Sequence, residues 1–284
     1  MLEMLVKPKR SERRPWELFF VGLFWASVAL LLVTYVFGKD SVLREGSGLL
    51  VVIFIVITCM PYMYYLIKLE EGKDIEIAES GRLIKEHSKA LRALMWMFLG
   101  FVIALSFWYI VLPDSAPHNF NFQVRTFCAI NNPVNLNDCV AAHGVAPVTG
   151  NITRSSLIMN IFANNIYVLI FTILFSLAFG AGAIFILVWN ASVIAAAIGI
   201  FTQSNLVQLP MGLLRYMIHG IPEISAYFIG ALAGGIVSVA VIRRDLKGER
   251  MWRILQDSLI LIIIAIVILF VSALVEVYIT PVLF

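Results

Sequence analysis

Seven long apolar runs constrain this chain more strongly than any other feature of its sequence. Each run is close to or above the roughly 20 apolar residues that a helix needs to cross a bilayer. A spanning helix satisfies its own backbone hydrogen bonds inside lipid, whereas the strands of a membrane barrel would appear as short alternating segments. The sequence therefore predicts an all-α, polytopic bundle of about seven transmembrane helices. The runs cover residues 16–37, 48–67, 94–112, 157–178, 183–201, 223–242 and 255–279.

The composition also indicates that lipid is the solvent of this fold. Hydrophobic residues make up 61% of the chain and charged residues only 14%, whereas soluble domains are about one quarter charged. A soluble fold of 284 residues would leave too much surface in water to hide so many apolar side chains. The net charge of +3 is too small to indicate a nucleic-acid partner, so the expected partner is the lipid bilayer.

The basic residues predict the orientation of the spans, because Lys and Arg concentrate in cytoplasmic loops. Three stretches on one side of a seven-span topology hold 16 of the 21 basic residues. We therefore expect a multi-pass protein of the cell membrane with a cytoplasmic N-terminus and an extracytoplasmic C-terminus. The expected parts are a cytoplasmic basic N-terminus at 1–15, a three-span part at 16–112, an extracytoplasmic loop at 113–156 and a four-span part at 157–284.

Two connecting segments have distinctive chemistry. Residues 68–93 mix acidic and basic side chains, and we expect a charged cytoplasmic helix there, broken near Gly72 or Gly81 and lying on the membrane or under the bundle. The outer loop contains Cys128 and Cys139, which either form a disulfide, as an oxidising compartment allows, or remain two free thiols. The same loop carries a glycosylation sequon at Asn151.

Asparagine side chains occur inside two of the predicted spans. Asn160, Asn164 and Asn165 open the fourth span, and Asn190 lies in the fifth. Asn160 and Asn164 are four residues apart, so a helix places them on one face. Polar groups in a bilayer are functional candidates by default. These amides either hydrogen-bond between helices or line a polar cavity.

A second polar cluster precedes the sixth span. Pro222 and Glu223 suit the first turn of a helix, because that turn tolerates a missing N–H and favours a carboxylate. We therefore expect a broken helix, with His219 and Gly220 in the break between a short helix and the sixth span. His219 and Glu223 would pair across this break. Such a pair either relays protons or binds an ion, or else fixes the helix entry without any chemistry.

Other motifs indicate packing and not catalysis. Gly230 and Gly234 form a GxxxG motif in the sixth span, which allows close helix packing and is compatible with a homo-oligomer. The sequence contains no P-loop, HExxH motif or GxSxG elbow. We therefore expect no catalytic residues, no metal site, no cofactor and no enzymatic activity.

Two stretches resemble a known family. The first runs from Asn160-Ile161-Phe162-Ala163-Asn164-Asn165 through Gly180 and Gly182 to Asn190 and Gly199. The second is His219-Gly220-Ile221-Pro222-Glu223, followed by a glycine-rich run to Gly235. Together, over residues 157–242, they resemble the stage II sporulation protein M family of integral membrane proteins. The resemblance implies a helical membrane fold and a role in anchoring cell-wall-remodelling enzymes.

Three functions are then compatible with the sequence. The first is a membrane scaffold that positions other membrane or extracytoplasmic proteins during envelope remodelling. The second is a secondary transporter or channel that uses the intramembrane polar residues. The third, an intramembrane hydrolase, lacks a second acidic or histidine group in a neighbouring span.

Overall fold

The computed structural model describes residues 7–76, 80–131, 154–179, 183–203, 205–242 and 249–283. Within these ranges every regular element is a helix, and seven helices are long and apolar enough to cross a membrane. The predicted all-α, seven-span architecture is confirmed. The helices are α1 (Pro8–Arg13), α2 (Glu17–Leu32), α3 (Ser41–Glu45), α4 (Ser47–Glu76), α5 (Ser80–Val111), α6 (Ala116–Asn119), α7 (Asn121–Asn131), α8 (Arg154–Phe179), α9 (Ile184–Phe201), α10 (Leu209–Ile242), α11 (Glu249–Leu274) and α12 (Thr280–Leu283).

Three short segments complete the helical elements. A π-helical turn, Val33–Phe37, ends the first span, and another, Val275–Ile279, joins α11 to α12. A 3-10 turn, Leu206–Gln208, leads into α10. The seven spans are therefore built on α2, α4, α5, α8, α9, α10 and α11.

The first and third spans pack almost backbone to backbone. A methyl group at Gly22 of α2 would collide with the carbonyl oxygen of Met97 in α5. A methyl group at Gly100 of α5 would in turn collide with the carbonyl oxygen of Phe19 in α2. Small residues allow this close approach. In lipid the hydrophobic effect does not drive helices together, so the van der Waals contacts of close packing stabilise their association instead.

The fifth span, α9, lies at the centre of the bundle. It packs against α4, α5, α7 and α10, and its alanine-rich stretch at residues 195–197 is buried. The fourth span, α8, packs instead against α10 and α11 at the edge of the bundle. A methyl group at Gly234 of α10 would lie 2.8 Å from the carbonyl oxygen of Ile173 in α8, and one at Gly230 would collide with Leu169. The GxxxG motif therefore serves packing within the chain.

The predicted break before the sixth span is wrong. Residues 209–242 form one continuous helix, α10, which contains Gly220 and Pro222 in its interior. Proline removes a helical hydrogen bond and displaces nearby carbonyl groups. Neighbouring side chains can bind such carbonyl groups inside a membrane. The carbonyl oxygen that loses its helical partner to Pro222 is that of Ile218. Ser272 of α11 donates a hydrogen bond of 2.9 Å to the next carbonyl oxygen, that of His219, and so ties the helix beside the proline to the last span.

The charged segment at 68–93 is helical as expected, but it is divided between two spans. Residues 68–76 extend α4 and residues 80–93 belong to α5, so this segment continues the second and third spans. Gly72 lies inside α4 without a break, whereas residues 77–79, close to Gly81, lie outside the described residues. The side chains of Glu70, Glu71 and His87 are buried, because charged partners described below surround Glu70 and His87.

The outer loop begins with two helices that are bound to the ends of the spans. Asn119 of α6 donates a hydrogen bond of 2.7 Å to the hydroxyl of Thr34. Gln123 of α7 donates one of 3.0 Å to the carbonyl oxygen of Gly48. Cys128 is buried and disulfide-bonded, so the alternative of a free thiol there is wrong. Cys139 and Asn151 lie outside the described residues, so the pairing of Cys128 with Cys139 and the glycosylation stay predictions.

Candidate functional site between the fourth, sixth and seventh spans

The continuity of α10 creates a polar face that a broken helix would not have. Arg215, His219, Glu223 and Tyr227 follow one another at intervals of four residues. Side chains at this spacing lie above one another on a helix. Four groups capable of hydrogen bonding or carrying charge therefore follow one another along α10, and three of them, His219, Glu223 and Tyr227, contact α8 or the segment after α11.

Glu223 is the centre of a hydrogen-bond network that joins three spans. Its Oε1 atom accepts a hydrogen bond of 2.8 Å from Nδ2 of Asn165 in α8. The hydroxyl of Tyr227 donates a hydrogen bond of 2.9 Å to Oδ1 of the same Asn165. Ser272 of α11 lies 3.3 Å from Oε1 of Glu223. Its partners Asn165, Tyr227 and Ser272 are buried, whereas Glu223 itself is partly buried.

The last span supplies the groups on the opposite side. Ser272, Glu276 and Thr280 are also spaced four residues apart. The hydroxyl of Thr280 lies 3.3 Å from Nδ1 of His219. Glu276 lies in the π-helical turn, close enough to Glu223 for their charges to interact. π-helical turns often occur at functional sites.

The predicted side-chain pair of His219 and Glu223 is not the arrangement in the structure. The imidazole of His219 contacts Thr280, whereas the carboxylate of Glu223 binds Asn165 and Ser272. Ser272 connects the two residues indirectly, since its hydroxyl reaches both the His219 carbonyl and the Glu223 carboxylate. The physical reason is the continuous helix, which places partners from α8 and α11 beside each side chain.

The four predicted asparagines have three different environments. Asn165 belongs to the network, but Asn160 and Asn164 lie on the exposed face of α8. Asn190 is half-buried and donates a hydrogen bond of 2.7 Å to the carbonyl oxygen of Ile186 in its own helix. For Asn160 and Asn164, neither a hydrogen bond to another described span nor a place in an internal cavity is found, because α8 turns that face away from α10.

Among the described residues, no group of three or more His, Cys, Asp or Glu side chains is arranged to hold a metal ion. The network at Glu223 combines one carboxylate with amide and hydroxyl donors. Such a set can hold a carboxyl group in place and tie helices together. Arg215 does not contribute to this network. The central carbon of its guanidinium lies 5.0 Å from the centre of the Phe201 ring.

A second charged cluster, at the cytoplasmic side in the predicted topology, was not expected from the sequence. Lys73 of α4 lies 2.6 Å from a carboxylate oxygen of Glu12 in α1 and 2.6 Å from one of Glu70. His87 of α5 lies 2.7 Å from the other oxygen of Glu70. Burial, together with the nearby Glu70, raises the pKa of Glu12 to about 7. This cluster fastens the N-terminal helix to the second and third spans.

Regular spacing was the signal that could have revealed both clusters. The interval of four residues in 215–227 and in 272–280 predicts two polar helix faces once each segment is treated as one helix. Glu70 and Lys73, three residues apart, would likewise share a face of an extended α4. Glu12 and His87 carry no comparable local signal, because their partners are distant in sequence.

Comparison with known proteins separates the two clusters, because one lies inside the region that matches a family and the other lies outside it. The family model described as Stage II sporulation protein M matches residues 93–281. The chain belongs to the stage II sporulation protein M family. The matched region of this family begins in α5 and contains the whole network around Glu223. It leaves out the first two spans and the cluster of Glu12, Glu70, Lys73 and His87.

A curated relative extends the comparison to archaea. A protein of uncharacterized function from Methanocaldococcus jannaschii is 30% identical over 160 residues, which are 55% of this chain and 85% of that protein. No solved structure matches the chain. The predicted family is therefore confirmed, and its match reaches further towards the N-terminus than the motifs at 157–242 that carried the resemblance.

Proposed function

We propose that this chain is a membrane scaffold without catalytic activity, which binds and positions other membrane or extracytoplasmic proteins, in the manner of an anchor for envelope remodelling. Its membership of the stage II sporulation protein M family supports an integral membrane role. The observation that carries the proposal is the hydrogen-bonding of Glu223. The described bonds of this carboxylate come from Asn165 and Ser272 of the same chain.

The Glu223 carboxylate stabilises the bundle by accepting hydrogen bonds from neighbouring spans. Interhelical hydrogen bonds in membranes are each worth roughly 0.6–2 kcal/mol. The network ties α8 and α11 to α10, which is the most deeply buried of the seven spans. A scaffold requires such a rigid frame, because its partners must be held at a constant position. The peripheral first, fourth and last spans are the least buried of the seven and offer surfaces to partner helices.

The extracytoplasmic helices provide a second place for partners in the predicted topology. α7 is fixed by the hydrogen bond from Gln123 to Gly48 and by packing against α4 and α9. Phe122 of α7 is exposed, beside buried Val124 and Phe127 that hold the helix down. An exposed aromatic side chain on a fixed helix suits protein recognition.

Site-specific photo-crosslinking in native membranes tests the scaffold proposal. A photoreactive residue at exposed Phe122 or Phe24 should yield discrete adducts with other proteins, identifiable by mass spectrometry. The same residue at buried Phe98 is the matched control and should give none. The proposal fails if Phe122 and Phe24 give no protein adducts while the chain is folded and correctly inserted.

A transporter or channel is the second candidate, and one observation favours it. His219, Glu223 and Glu276 are each only partly buried and lie at the same end of the bundle. Purified protein in liposomes containing a pH-sensitive dye would show proton or cation flux that Glu223→Gln changes. We expect no flux above empty liposomes. Flux that depends on Glu223 would support transport over the scaffold.

A further inference from the structure

The outward face of α8 carries two exposed amides among exposed apolar side chains. Exposed residues recur there at intervals of alternately four and three positions. This is the heptad spacing by which two helices pack side by side along their length. We call this face the α8 seam. It consists of Asn160, Asn164, Tyr167, Phe171, Leu174 and Ala178.

The two amides make the α8 seam a poor surface for lipid. Apolar side chains such as Phe171 and Leu174 are well solvated by acyl chains, but an amide in an apolar medium requires hydrogen-bond partners. Asn164 lies seven residues into the span that begins at Leu157, or about 10 Å along the helix axis. Asn160 and Asn164 have no hydrogen-bond partner within the part of the chain that the structure describes. The seam therefore lacks a polar partner at that depth.

We propose that the α8 seam binds the α8 seam of a second copy of this chain, so that two parallel helices pack across a two-fold axis along the membrane normal. Copies inserted in one membrane have the same orientation, which makes their α8 helices parallel. A two-fold axis then places each residue opposite its own equivalent. An amide both donates and accepts, so Asn164 complements Asn164 and Asn160 complements Asn160.

Self-complementarity is the reason to choose a second copy over a different partner. An asparagine in a heptad seam sets the register and the number of helices in parallel coiled coils. A different membrane protein would need an amide at a matching depth on a parallel or antiparallel helix. A second copy supplies it by symmetry. Gly230 and Gly234 are not available for this contact, since they already pack against the other side of α8.

This dimer goes beyond the scaffold proposal and does not depend on it. The first test is a cysteine scan in native membranes, with single cysteines at Tyr167, Phe171 and Leu174 of the seam. Oxidation should link two copies at these positions at least severalfold more than at Phe24 of α2 or Ile263 of α11. Those two controls are comparably exposed but lie on other spans. Equal linking at all five positions, or none at the seam, would overturn the proposal.

The second test removes the amides and keeps the seam otherwise intact. The double variant Asn160→Leu, Asn164→Leu should reduce the dimer fraction in lipid nanodiscs roughly tenfold, as expected from losing interhelical amide bonds. Asn190→Leu is the matched control, because Asn190 bonds to its own helix, and should leave the dimer unchanged. Thermal unfolding of each variant checks that the monomer still folds.

The two tests together also show whether the α8 seam binds a different protein instead of a second copy of this chain. Photo-crosslinking from Tyr167 that captures a different protein, with no linked second copy, would overturn the dimer while supporting the scaffold. An undiminished dimer after loss of both amides, in a folded variant, would assign the contact to another surface. Should the double variant fail to fold, the cysteine scan alone decides, because it retains both amides.

Discussion

Asn165 donates a hydrogen bond of 2.8 Å to the carboxylate of Glu223, and this contact joins the fourth and sixth spans, 58 positions apart in the sequence. Tyr227 donates to the other polar atom of the same amide. Asn165 therefore uses its donor and its acceptor at once, and its side chain has one fixed orientation.

The coupling of Asn165 and Glu223 is measurable by a double-mutant cycle. We expect Asn165→Ala and Glu223→Ala to show an interaction energy of roughly 0.6–2 kcal/mol, the range for hydrogen bonds between membrane helices. The readout is the free energy of unfolding in detergent. Asn190→Ala combined with Glu223→Ala is the control and should be additive, since Asn190 bonds to Ile186. Additivity of the first pair would contradict the hydrogen bond.

Ser272 should stabilise the bundle more than a similar serine on the same helix. Its hydroxyl donates to the His219 carbonyl at 2.9 Å and lies near Glu223. Ser258 of α11 also donates to a carbonyl of α10, but at 3.4 Å. Ser272→Ala should therefore lower the free energy of unfolding by about 1–2 kcal/mol and Ser258→Ala by less. Equal effects would mean that the hydrogen bond to the His219 carbonyl contributes no more than the longer one to Ala233.

The GxxxG glycines should be sensitive to a single methyl group. Gly234→Ala places Cβ 2.8 Å from the backbone oxygen of Ile173, so α8 and α10 must move apart, at about 1–3 kcal/mol for an overpacked contact. Gly72→Ala is the matched control, because nothing lies within 4 Å of its added Cβ. It should be neutral or stabilising by up to about 1 kcal/mol. Thermal unfolding compares the two variants.

Docking of the N-terminal helix should weaken as pH rises. Glu12 has its pKa raised from its ordinary 4.5 to about 7 when docked, so the docked state retains a proton that the undocked state loses between these values. Attachment is then strongest near pH 4.5, declines up to about pH 7 and is constant above. A spin label at Lys9→Cys should gain mobility across this range.

Glu12→Gln should remove most of that change, because glutamine stays neutral. A label whose mobility changes equally in the parent chain and in Glu12→Gln would assign the pH effect to groups other than Glu12.

The predicted orientation can be tested with cysteines at exposed positions. An impermeant thiol reagent should label Val42→Cys and Val207→Cys in intact cells, because both side chains are highly exposed, at 77% and 86%, on the predicted outer side. Lys9→Cys and Lys85→Cys are also exposed and should be labelled only after permeabilisation. The reverse pattern would invert the topology, and the unaltered chain gives the background from its own cysteines.

The sequence alone determined the secondary structure and the number of spans. Apolar runs of about 20 residues have essentially one solution in lipid, because backbone groups must be satisfied within each segment. The motifs at 160–165 and 219–223 were also sufficient to identify the family, which the match at residues 93–281 confirms. The secondary structure, the number of spans and the family depend on composition and local pattern, and both can be read directly from neighbouring residues in the sequence.

Only the tertiary structure decided which polar residues meet. Pro222 indicated a helix start by local rules, yet α10 continues through it, and Ser272, 49 positions from Glu223, binds the His219 carbonyl three residues before the proline. That continuity places His219 and Glu223 beside different helices. Likewise Asn160, Asn164 and Asn165 are neighbours in sequence, but the rotation of α8 against α10 buries one and exposes two. Such rotations are set by contacts between distant segments, which local pattern does not contain.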